Sequence, residues 1–311
     1  MYRTYSVYSL IFRLFLMVCI SMTMLIAPAC RAGQASVAVI YPEGRGPYNS
    51  MLLQVLEGIN EQAGAAVAVY PLGQGYDRAG LLKRLNDNNA DVVIVLGRRG
   101  VEAVQTLGLK KPIVVGAAPL MPEFMAAYGA PVSTIRLTPD IGLLFAKLRE
   151  VVPASNRIIV ITSASKESWL LRTAYEAARK NNFELTVHEA SDIQMAAGLY
   201  RRAMGSAREG GADVVWLPPD DESIDIRGIL PEILQEAWIH KIPVFCSNPA
   251  HVKRGALFAL YPDNPKMGRR LAILAMNMAK NGSTMILPAQ DVLTAVNMRT
   301  AEHLGLGQVA K

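Results

Sequence analysis

From residue 36 onward the chain alternates short β-branched runs with longer stretches in which apolar residues recur every three or four positions. SVAVIYP (36–42), AVAVYPL (66–72), DVVIVLG (91–97) and PIVVGAA (112–118) have strand composition. The third is so continuously apolar that it predicts a strand covered on both faces. Tyr48 to Ala63 places Met51, Leu52, Val55, Leu56 and Ile59 on one helical face, and AGLLKRLNDN (79–88) predicts the next helix. A short helix falls between the last two strands. Strands separated by helices predict a parallel sheet with right-handed crossovers.

The pattern then restarts. PDIGLLFAKLREVV (139–152) predicts a helix with Pro139 in its first turn. Strands follow at RIIVITS (157–163), FELTVHEA (183–190), DVVWLPP (213–219) and IPVFCSN (242–248), with helices at 167–181, near 193–209 and at 229–241. Ala-Asp-Val-Val opens a strand at 90–93 and again at 212–215, and the same order of elements surrounds both copies. The sequence therefore predicts an α/β protein of two similar doubly wound parallel-sheet lobes. GALFALYP (255–262), the apolar helix 267–282 and a strand with a turn of helix in VLTAVNMRTAEHLGL follow the second lobe. Such a segment most simply returns to the first lobe, which gives several crossings between lobes.

Composition agrees with a core-rich globular chain: of 311 residues, 51% are hydrophobic and 19% charged. Part of the apolar excess lies at the front, where Arg3 and Arg13 precede Leu14 to Ala29, closed by Ala27-Pro28-Ala29. Residues 1–29 thus have the layout of a secretory signal peptide, the competing reading being an uncleaved anchor. Cleavage before Cys30 would expose a cysteine for lipid attachment, the one membrane contact expected. Loss of residues 1–29 removes two arginines and no acids, so the formal charge falls from +6 to +4, which demands no nucleic-acid partner. Cys246 is then the only internal cysteine, so no disulfide framework is expected.

Ile242 to Phe245, Val252 to Ala256, Asp263, Met267 to Arg269, Asn297 and Thr300 to Leu306 form a string with its own pattern. That string resembles the end of the ABC-transporter substrate-binding proteins of the tryptophan/tyrosine-type group, and a looser likeness extends over residues 36 to 306. The resemblance implies the type I periplasmic-binding-protein fold with a multi-strand hinge. It implies one lobe of about 36–136 plus 255–284, another of 138–253, and a hinge strand and tail in 285–311. Ligands in such folds lie between the lobes at the carboxyl ends of the strands. The resemblance further implies a monomer in the periplasm that gives a small-molecule ligand to an ABC permease and ATPase. A sensory module reporting to a partner such as a sensor kinase is the alternative.

Strand tips supply the candidate ligand-binding residues. Arg98 and Arg99 follow a strand where the family usually carries a small hydroxyl residue and a proline. A guanidinium there offers a fork of donors to a carboxylate or phosphate, and the competing reading is a solvated turn. The loop 42–50 contributes Tyr48, Asn49 and Ser50, the second strand Gln74 and Tyr76, and the fourth Ala118. In the second lobe Ser163, Ser165 and Ser168 lie in a turn like the family's serine-ending turn, which a plain helix cap would also explain. Asp220 matches the family's aspartate for a ligand ammonium group, and Ser247 and Asn248 end the last strand. Tyr48, Tyr76 and Trp169 could stack on a planar ligand, although Trp169 in an apolar first turn also suits a core.

Catalytic signatures are lacking. The four histidines have no partners at metal-ligand spacing, and neither a G-x-S-x-G elbow nor a Walker A loop occurs. An enzyme would have only Lys166-Glu167 and Asp220-Asp221 for acid–base work. A binding protein without metal or organic cofactor is therefore expected.

Overall fold

The computed structural model describes residues 35–64, 67–119, 122–163, 169–207, 212–219 and 226–308. The signal-peptide and Cys30 expectations lie outside the described residues. Residues 36–311 form one compact unit containing two six-stranded sheets.

The first sheet comprises β1 (Val37–Pro42), β2 (Val67–Leu72), β3 (Val92–Leu96), β4 (Ile113–Gly116), β5 (Val132–Pro139) and β11 (Ile286–Ala289). Its order is β11-β5-β4-β3-β1-β2, and every pair is parallel. The second comprises β6 (Arg157–Ser163), β7 (Glu184–Ala190), β8 (Asp213–Leu217), β9 (Val244–Cys246), β10 (Phe258–Pro262) and β12 (Val292–Val296). It runs β12-β10-β9-β8-β6-β7, parallel except where β12 meets β10. The two orders are the same walk taken twice.

Apolar clusters cover both faces of each sheet, as the continuously apolar strands require: all five residues of β3 and all five of β8 are buried. On the first sheet α1 (Pro47–Ala63) and α10 (Asn264–Asn281) cover one face. The cluster on the other includes α2 (Arg78–Asp87), α3 (Gly97–Leu107) and α4 (Pro122–Ala127). On the second, α5 (Ile141–Val151) and α6 (Trp169–Lys180) face α7 (Ile193–Ser206) and α8 (Leu230–Ile239) across the strands. Phe145 anchors one of these layers, edge-on to Trp216 at 5.4 Å and to Phe245 at 6.0 Å. Among the described residues no helix is long and apolar enough to cross a membrane.

Two sequence expectations are corrected. Strand 258–262, expected in the first lobe with 255–284, belongs to the second sheet, where β10 pairs with β9 and β12. The short helix α9 (Pro249–Arg254) returns the chain beside β9, so only the helix after β10 crosses. Pro139, expected in a helix, instead ends β5, a strand the apolar pattern had not announced.

The chain passes between lobes at three places, and two use one device. Leu137-Thr138-Pro139-Asp140 leads from β5 into α5, and Leu260-Tyr261-Pro262-Asp263 leads from β10 into α10. Proline ends each strand, and aspartate then caps the helix: Asp140 accepts from Gly142 N at 2.7 Å and Asp263 from Lys266 N at 3.2 Å. The third passage, β11 to β12, is tied to both, since Asp140 N donates to Ala289 O at 2.9 Å and Asp263 N to Asp291 O at 3.0 Å.

The repeated Ala-Asp-Val-Val also has a common job. Asp91 Oδ2 accepts from Ser36 N at 2.8 Å, clasping the start of β1. Asp213, fully buried, takes both Nε (3.1 Å) and Nη2 (2.6 Å) of Arg157 at the start of β6.

Candidate functional site

Parallel strands place open backbone groups and loops beyond their carboxyl ends. In the first sheet that edge is shaped by Gly97 and Ala117, which follow β3 and β4 and take φ of +72° and +52°. The Tyr48 hydroxyl donates to Ala117 O at 3.3 Å and lies where a Cβ on Gly97 would come within 2.5 Å of it. Gly97 is thus required both for its left-handed backbone and for the phenol above it. Burial pushes the Tyr48 pKa up, against the opposing influence of the Arg98 backbone N–H and charge. The phenol stays a neutral donor with about half its surface exposed.

The other candidates of this lobe divide by environment. Asn49 presents a buried Oδ1 with no partner, whereas Ser50 Oγ donates back to Gly46 O at 3.4 Å in a local turn. Arg98 and Arg99 occupy the first turn of α3 and are both exposed, Arg98 beside the Tyr48 phenol. Gln74 is exposed, Tyr76 packs against the cluster under α2 and α3, and Ala118 is buried in that same cluster.

In the second lobe Ser163 is buried at the end of β6. Ser165, Ser168 and Asp220 lie outside the described residues. Ser247, just past β9, has a buried Oγ without a partner. Asn248 caps α9, its Oδ1 accepting from Ala250 N at 3.0 Å, with its Nδ2 3.4 Å from His251 Nε2. Cys246 is inert, because burial pushes its thiol pKa up to about 12.

One residue escaped the sequence reading. Arg136, on β5 two positions beyond the last β4 pair, lays its guanidinium 3.8 Å from the ring centre of Trp169, the first residue of α6. A side chain from each lobe's carboxyl edge meets here. Trp169 also packs against the core of the second lobe, as its place in an apolar first turn suggested. The available signal was a lone arginine in the alternating run VSTIRLTP, hidden because β5 itself went unrecognised.

Cavities do not single out this edge. A groove of about 690 Å³ lies at the amino ends of β9 and β10, between α8, α9 and α11 (Met298–His303), and is lined by Trp238, Lys253, Arg254 and Arg299 among others. None of the sequence candidates borders it. Among the described residues no group of His, Cys, Asp and Glu side chains could hold a metal ion.

A model of the family described as ABC transporter substrate binding protein matches residues 72–307. The chain belongs to that family. A tyrosine-binding protein of Clostridioides difficile (strain R20291) is 24% identical over 168 residues, covering 49% of this chain and 46% of that protein. The alignment thus spans less than half the length of that relative. Among solved structures, the ligand-free, open form of a substrate-binding protein with adhesive properties from Clostridium difficile has a TM-score of 0.60 at 17% identity, over 87% of this chain and 95% of that one. An ABC domain in complex with L-Trp from Streptococcus pneumonia has a TM-score of 0.53 at 15% identity, over 88% of this chain and 95% of that one. The fold is that of the type I periplasmic binding proteins.

The family-like string at the C-terminal end proves to be scaffolding. Asn297 caps α11 by accepting from Thr300 N at 3.0 Å and donates to Val252 O at 2.7 Å, while Thr300 Oγ1 donates to Gly255 O at 3.0 Å. Asp263 marks a crossing, and Gly268 admits the backbone of α1.

Proposed function

We propose that this protein is an extracytoplasmic solute-binding protein that captures a small polar ligand, amino-acid-like or anionic, between its two lobes and delivers it to an ABC importer. The observation that carries the reading is a set of three buried polar atoms without partners. Asn49 Oδ1 follows β1 of the first sheet, Arg136 Nε lies on β5 two positions past its last pair with β4, and Ser247 Oγ follows β9 of the second sheet. Buried polar atoms are nearly always hydrogen-bonded, so three orphans at these edges suit a site whose ligand completes them. Tyr48 adds a phenol, and the Asp220 of the sequence reading adds a carboxylate for an ammonium group.

The tyrosine-binding relative and the L-Trp-bound neighbour make amino acids the first ligands to try. The protein acts as a monomer without metal or organic cofactor, exported to the periplasm by residues 1–29, with Cys30 as the position for a lipid anchor. Closure about the three crossings reports occupancy to the permease. A sensor partner would use the same cleft. Neighbouring genes for a permease and ATPase favour import, and a neighbouring sensor kinase favours sensing.

A thermal-shift screen of amino acids, dicarboxylates, phosphonates and nucleosides tests the reading. A ligand at 100 times its Kd adds about 2.7 kcal/mol to stability and raises the melting temperature by several degrees. A screen in which no compound shifts the transition would contradict it.

A further inference from the structure

Among the described residues Arg136 has no anionic partner. Its guanidinium makes no ion pair and no hydrogen bond with any described residue, and it lies over the face of Trp169, 3.8 Å from the ring centre. Nε is buried and unpartnered, and burial pushes the pKa of the group down. A desolvated charge lacking its counterion is unfavourable, and an indole face offsets only part of that loss. Stacking leaves Nε and an Nη, side by side on the edge of the planar group, as a two-donor fork with no acceptor among the described residues. That fork matches the two oxygens of a carboxylate.

We infer that Arg136, held on Trp169, is the anion-binding residue of the cleft, and that the captured ligand presents a carboxylate to it. This rests on the proposed binding of a ligand between the lobes and narrows its chemical class. It moves the anion contact away from Arg98 and Arg99, whose exposed side chains already have solvent to stabilise their charge. Arg136 belongs to β5 of one sheet and Trp169 to the helix after β6 of the other, so recognition of the charge is coupled to the approach of the lobes.

Calorimetric titration of the purified exported protein with L-amino acids, succinate and glutarate, each beside its amide, and with inorganic phosphate tests the inference. At least one carboxylate binds, and its amide binds more weakly by about 10- to 100-fold, the loss expected for one charge-assisted hydrogen bond. R136Q loses a similar factor for the carboxylate alone, and R136K, which keeps the charge but not the fork, falls between. The unliganded R136Q melts at the wild-type temperature or above it, which shows that the loss is not unfolding. Unchanged carboxylate affinity in R136Q overturns the inference, as does a loss confined to R98Q/R99Q. A panel in which only phosphate binds overturns the carboxylate assignment. One in which only uncharged compounds bind overturns the inference and leaves capture between the lobes standing. If nothing binds, both fail.

Discussion

Arg157→Met is expected to destabilise the second lobe by about 3–5 kcal/mol, the usual cost of removing one member of a buried ion pair. The reason lies in the asymmetry of the pair. Asp213 is fully buried, while about a quarter of the Arg157 side chain reaches solvent. Methionine keeps most of the aliphatic stem but removes the two charge-assisted hydrogen bonds that Arg157 donates to the buried carboxylate. Asp213→Asn in the wild-type background should cost less, because it leaves an arginine that can turn to water. Urea unfolding of both variants measures this. Equal destabilisation by the two substitutions would show that the buried carboxylate is not the costly member.

Gly268→Ala should be destabilising by roughly 2–3 kcal/mol, although alanine ordinarily gains up to about 1 kcal/mol over glycine inside a helix. A Cβ at Gly268 would lie 2.0 Å from Val55 O, and one at Gly58 would lie 1.9 Å from Pro265 O. Both obstructions are backbone, so α1 and α10 must separate before either methyl fits. Since α10 enters the first lobe directly from a crossing, its displacement also disturbs the neighbouring passages. Gly198 in α7 is the control: nothing lies within 4 Å of its Cβ position, and Gly198→Ala should stabilise by about 0.5–1 kcal/mol. Thermal unfolding of the two variants should move in opposite directions.

Elements with one clear period were legible in the sequence. Strands buried on both faces, such as β3 and β8, and long amphipathic helices such as α1 and α10 emerge from residue type alone. β5 was hidden because Ser133, Thr134 and Arg136 break its apolar run and Pro139 imitates a helix start. β11 was hidden because Ile286-Leu287-Pro288-Ala289 is short and contains a proline, tolerable at this edge of the sheet. The Leu-x-Pro-Asp repeat at 137–140 and 260–263 is present in the sequence, and the capping role of its aspartates marks two of the crossings.

The candidate site was legible as a set of strand tips, and the structure then shows their different environments. Tyr48 owes its place to the space that Gly97 leaves, a relation between residues 49 positions apart that no local pattern encodes. The paired arginines of GRRG drew attention by charge, yet the arginine in a desolvated setting is the isolated one on β5. Asn248 illustrates the reverse, a strand-tip amide whose hydrogen-bonding capacity goes to capping a helix.

The crystal structure of the protein with the tightest ligand from the thermal screen is the most direct test of capture between the lobes. The expected result is ligand density between the carboxyl edges of the two sheets, touching Tyr48, Arg136 and Ser247, with the Arg136–Trp169 stack intact. Density in the 690 Å³ groove beside Trp238, with the strand edges unoccupied, would contradict it.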